Sequence, residues 1–130
     1  MIHRRKYGNK KVEADGESFA SKGEYNRWLF LKSAEEDGLI TNLRKQVEFV
    51  LIPTQYKEEI VHLKTKDKVV QRVAERPVTY IADFVYNKDG KIVVEDYKGF
   101  PDEKYPIKRK MMLYFKGISI REVKKPGEPI

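Results

Sequence analysis

Val78-Thr-Tyr-Ile-Ala-Asp-Phe-Val-Tyr86, Asn87-Lys-Asp-Gly90 and Lys91-Ile-Val-Val-Glu-Asp-Tyr-Lys98 are consecutive, two apolar runs around a turn signal, and each run carries charge where a core strand excludes it. Runs rich in β-branched and aromatic residues joined through Asp-Gly read as an antiparallel hairpin. With Tyr86 paired to Lys91 across a four-residue turn, Asp83 falls opposite Val94 and diagonal to Asp96, about 7 to 8 Å away on the same face. Side chains alternate along a strand, so Lys98 shares that face. A buried carboxylate or ammonium is costly unless it is paired or binds a metal, so two acids and a lysine ending core strands mark a site before they mark packing.

The elements on either side complete the class. Ser21-Lys-Gly-Glu24 has the capping-box pattern and opens a helix with Tyr25, Trp28, Leu29 and Phe30 as apolar bulk and Asp37-Gly38 as its stop. Val47 to Ile52 reads as a strand ended by Pro53, and residues 54–76 as a charged hairpin excursion turning at Lys64-Thr-Lys-Asp67. After Gly99-Phe-Pro101 a second helix is expected, with Pro106 in its first turn, Ile107, Met111, Tyr114 and Phe115 on its apolar face and Gly117 past its end. Ile118 to Val123 is the last strand, followed by a Lys/Pro/Gly tail. The order helix, strand, strand, strand, helix, strand predicts one α/β domain over residues 18–125, a mixed central sheet flanked by helices. Residues 1–17 precede it as a basic N-terminal arm.

Composition narrows the chemistry. The chain has 130 residues, 40% of them hydrophobic, enough for one cored domain. There is no cysteine, and His3 and His62 lie far apart, so any metal must be hard and held by oxygen. No apolar run approaches the roughly 18 residues of a membrane span and the first residues are too polar for a secretory signal, which predicts a soluble, cytoplasmic protein with no membrane partner. The net charge of +7 is clustered: Arg4, Arg5 and Lys6 near the start, Lys108, Arg109 and Lys110 on the second helix. Such clusters are the footprint of a polyphosphate partner, and nucleic acid is the expected one. Arg76, beside Pro77 at the entry of the Asp83 strand, is a further candidate for phosphate.

On these residues the chain resembles the PD-(D/E)XK nuclease superfamily, which includes restriction enzymes and Holliday-junction resolvases. The likeness lies in the element order, an Asp in the second core strand, and Asp96-Tyr-Lys98 ending the third, with Ala82 where the proline of the name would stand. Tyr80 to Phe84, Val94 to Gly99 and Lys108 to Lys110 more narrowly resemble a small phage and prophage endonuclease group.

The resemblance implies a restriction-endonuclease-like αβββαβ core and a Mg²⁺-dependent DNA endonuclease, with Mn²⁺ able to substitute. Asp83 and Asp96 would hold the ion with the backbone carbonyl of Tyr97, and Lys98 would orient the attacking water and stabilise developing charge. Glu24 stands where such nucleases place an acid on the first helix, although its capping-box role explains it equally well. Lys110 stands where a basic residue meets the scissile phosphate, or else on a solvated face. Analogy with resolvases adds branched DNA as substrate and a homodimer as the working form. Two alternatives stay open: a nuclease cutting flaps, duplex or RNA, and a non-catalytic basic module that binds nucleic acid.

Overall fold

The structure, a computed structural model, describes residues 11–14, 16–98 and 102–130. A short ribbon of β1 (Val12–Ala14) and β2 (Glu17–Phe19) comes first, buries Phe19, and leads into α1 (Lys22–Glu36). Ser21 caps α1, its Oγ accepting from Glu24 N at 3.1 Å. Glu24 Oε2 returns the bond to Ala20 N at 3.0 Å, closing the box one residue upstream of the cap amide. Gly38, in the left-handed region at φ +79°, turns the chain off the helix end.

Four strands form the central sheet in the order β3 (Thr41–Ile52), β6 (Val78–Lys88), β7 (Lys91–Tyr97), β8 (Arg121–Val123). The first three are antiparallel and β8 runs parallel to β7, which makes the expected mixed α/β sheet. β3 begins six residues before the expected Val47, because its polar start is held by pairing with β6 from Thr41↔Asn87 onward rather than by hydrophobicity. β6 is central and enclosed on both faces: Ala82 and Val85 join Leu51, Val94 and Met112 in one cluster, while Phe84 and Tyr86 join Leu31, Ala34 and Ile40 beneath α1.

Between β3 and β6 the chain leaves the sheet as an arm of β4 (Gln55–His62) and β5 (Asp67–Glu75), the hairpin expected of residues 54–76. Pro53 and Pro77 stand at its base, just before β4 and just after β5, where a missing N–H ends the ladder.

The second helix, α2 (Tyr105–Met111), continues into a π-helical turn, Met112–Lys116, before Gly117 at φ +68°. Its expected apolar face holds only at Met111, which packs half-buried on the core: Tyr105 and Met112, seven residues and two turns apart, are buried, whereas Ile107, Tyr114 and Phe115 are exposed. The domain also packs beyond residue 125: Ile130 lies against the α1 cluster, and Lys88 Nζ donates to its carbonyl at 2.7 Å. Among the described residues no helix is long and apolar enough to cross a membrane.

Candidate metal centre

A two-residue turn sets the register of the central hairpin. Asp89 and Gly90 have φ of +51° and +75°, as a type I′ turn requires, and Lys88 pairs with Lys91. The expected pairing of Tyr86 with Lys91 is therefore wrong by two residues. An even slip keeps every side chain on its face, so it brings the acids closer without parting them. One step beyond Phe84↔Glu95, Asp83 lies opposite Asp96, and its Oδ2 accepts from Tyr97 N at 2.7 Å.

The other groups come from α1, β3, β6, the end of β7, α2 and β8. The first turn of α1 carries Glu24, whose Oε1 accepts from Gln46 Nε2 at 3.1 Å, and the same amide reaches Asp83 Oδ1 at 3.3 Å. Gln46 sits inside β3 at φ +50°, a region non-glycine residues rarely occupy, so its backbone is strained where its side chain bridges two acids. Asp96 is buried, with Oδ2 accepting from Tyr80 Oη at 2.7 Å and Oδ1 at 3.1 Å from Lys98 Nζ. Lys98 Nζ in turn lies 3.1 Å from the centre of the Tyr105 ring, and the Tyr105 hydroxyl donates to Glu122 at 3.0 Å. The ammonium is thus held between a carboxylate and an aromatic face.

Asp83 stands near two further acids, Glu24 and Asp96. Burial first, then the charges of Glu24 and Asp96, push the Asp83 carboxyl up to about 8, against the lowering effect of the Tyr97 N–H. The protonated Tyr80 hydroxyl is favoured for related reasons, burial first and then its bond to Asp96. Among the described residues no three acidic or histidine side chains close into a ready cage. Gln46 and Lys98 instead occupy oxygens of the three acids. All potential donors in this set are hard oxygens, the donor type that suits a cation such as Mg²⁺.

This repulsion has a measurable consequence. In the unfolded chain Asp83 ionises from its ordinary 3.8, but in the folded chain only near 8. Between those values the native state holds a proton that the unfolded state lacks, so this group's contribution to stability falls as pH rises through the window and levels off above it. Asp83→Asn removes the charge and keeps an acceptor for Tyr97 N–H. Urea denaturation of metal-free protein from pH 4.5 to 8.5 is expected to show the variant gaining on the wild type as pH rises; a difference independent of pH would mean that Asp83 carries no such strain.

The neighbouring acid, Glu95, belongs to a different structure. It is fully buried on the α1 side, in a two-pronged pair with Arg27 at 2.8 Å for each bond, and also accepts from the Tyr86 hydroxyl. Arg121 lies 3.6 Å from the same carboxylate. Of the basic residues singled out in the sequence, Arg76 and Lys110 are exposed and Lys108 half-buried. Arg109 is paired with Glu122 at 3.2 Å and so braces the Tyr105 side of the site. Arg4, Arg5 and Lys6 lie outside the described residues.

Sequence reasoning missed Gln46, Tyr80, Tyr105 and Glu122. Gln46 is one polar residue in a polar stretch with nothing to single it out, whereas Tyr80, inside the quoted motif run, could have been found by asking which hydroxyl satisfies Asp96. A family model described as protein of unknown function (DUF1064) matches residues 4–125. No curated protein and no solved structure gives a match.

Proposed function

This chain belongs to the DUF1064 family, and we propose that it is a Mg²⁺-dependent DNA endonuclease that hydrolyses phosphodiester bonds in the cytoplasm. The observation that carries the reading is geometric: Asp83 lies opposite Asp96 across the central hairpin, one Gln46 amide bridges Asp83 to Glu24, and Lys98 is fixed on Asp96. Groups forced into mutual repulsion at the end of a sheet are costly to folding, and a divalent cation relieves that cost.

Asp83 and Asp96 would hold the ion, with Glu24 and the Tyr97 carbonyl completing the set. A bound ion would supply positive charge where negative charge develops in hydrolysis. Lys98 orients the attacking water and stabilises the developing negative charge, and its seat between Asp96 and Tyr105 fixes the direction of the ammonium before substrate arrives. Tyr80 holds Asp96 from behind, leaving the carboxylate one orientation. Lys108, Lys110 and Arg76, together with Arg4, Arg5 and Lys6, would meet the DNA backbone. We assign branched DNA as the substrate and a homodimer as the working form, because symmetric paired cuts need two active sites.

The test incubates the protein with a labelled four-way junction, a flap and a linear duplex, in Mg²⁺, Mn²⁺ or EDTA. Paired nicks confined to the junction and requiring either metal support the whole reading. Cutting of flap or duplex keeps the nuclease and discards the junction, whereas binding without cutting in any metal leaves a nucleic-acid-binding module.

A further inference from the structure

The arm formed by β4 and β5 exposes a surface that its own chain leaves uncovered. Its cross-strand pairs are Tyr56↔Val73, Glu58↔Gln71, Ile60↔Val69 and His62↔Asp67, all on one face. The four apolar members are 53–62% exposed. The opposite face mixes half-buried Val61 and Val70 with the charged Lys57, Glu59, Lys68 and Arg72, and Arg72 bonds Glu59 at 2.9 Å. The arm's substantial contacts are those between its own two strands. A two-stranded hairpin in water is marginal by itself and needs its apolar face covered.

We propose that this face seats the same face of a second copy of the chain. Stack two arms face to face, with a two-fold axis running along them, and β4 of each lies over β5 of the other. The four pairs are then repeated between the copies: Tyr56 meets Val73, Ile60 meets Val69, Glu58 meets Gln71, and His62 meets Asp67. Apolar groups meet apolar groups, a carboxylate meets an amide and an imidazole meets a carboxylate. No like charges are opposed, as a self-complementary two-fold interface requires. Four large side chains at this exposure make a patch on the order of 400 Å², the size of the largest apolar patch on a typical monomer, which is often functional. Two such patches with their polar rims reach about the 1,000 Å² that a specific interface needs. The arm thereby acquires a four-stranded two-layer core that neither copy has alone. The inference deepens the homodimer part of the proposed function and is independent of whether the acid cluster is catalytic.

Sedimentation or light scattering on the full chain tests it, with Ile60→Lys and, as a second variant, Val69→Lys, each checked by circular dichroism and thermal melting. The wild type is expected at twice the 15.3 kDa of the chain at micromolar concentration. Each lysine variant is expected to keep its fold and raise the dimer dissociation constant roughly 30-fold or more, the scale of losing a hot-spot contact. Ile107→Lys, on the exposed stripe of α2, should leave the dimer intact. A monomeric wild type at 100 µM would overturn the proposal. So would dimers that survive both arm variants, or that dissociate only on Ile107→Lys. Nuclease activity plays no part in the readout, so a failed dimer and a failed nuclease reading give different results.

Discussion

Lys98→Met is expected to cut DNA on the order of 10³-fold more slowly than the wild-type chain in single-turnover measurements at saturating Mg²⁺, with a thermal midpoint changed little. The ammonium is the one positive side chain bonded to the acid cluster among the described residues, and it sits on Asp96 at 3.1 Å. Methionine keeps the length and the contact with Tyr105 but has no charge to stabilise the attacked phosphate. In the proposed reading substrate affinity rests on the dispersed basic residues, so binding in Ca²⁺ or EDTA is expected to change by less than about threefold. A cleavage rate within tenfold of wild type would remove Lys98 from the chemistry and leave it a structural partner of Asp96.

Arg27→Ala is expected to lower the unfolding free energy by about 3 to 5 kcal/mol, the cost of leaving a buried charge without its partner. Glu95 would keep the Tyr86 hydroxyl and a distant Arg121, neither of which replaces a two-pronged guanidinium in a fully enclosed position. The loss extends further, because Arg27 Nη1 also donates to the carbonyls of Pro126 and Glu128 and so ties the last residues across the fold. Against a total stability of roughly 5 to 15 kcal/mol, such a loss leaves much of the protein unfolded at 37 °C. Equilibrium urea denaturation measures it directly. Arg27→Met with Glu95→Leu, which removes both charges, should recover most of the loss, and failure to do so would mean that the tie to the final residues outweighs the ion pair.

The two buried acids side by side show what a sequence reveals and what it hides. Alternation along β7 places Asp96 and Lys98 on one face and Glu95 on the other, and that separation follows from backbone geometry alone. It survived a wrong turn length because the error was even. The partner of Glu95 was not legible, because Arg27 lies 68 positions away on a helix whose exposed Leu29 and Phe30 look more like core than it does. Similarly, Ser21 and Glu24 spell out a cap locally, but the reach of Glu24 to Gln46 depends on where β3 passes α1. The helix at 105–111 misled for the opposite reason. Apolar spacing located a face, yet a face can be apolar and uncovered, and packing of Tyr105 beneath Lys98 depends on the sheet it meets. Elements set by local chemistry were therefore readable, while long-range charge partners and the choice of buried face were not.

Asp96→Asn tests the central claim most directly, because it removes one negative charge while retaining the shape and an acceptor for Tyr80. The measurement compares cleavage of a labelled four-way junction by wild type and variant across a Mg²⁺ titration, with affinity for the same DNA measured in EDTA. Magnesium-dependent cutting by the wild type, lost in the variant while DNA affinity is unchanged, is the predicted result. Cutting that persists in Asp96→Asn, or a wild-type protein that binds DNA and never cuts it, would contradict the account.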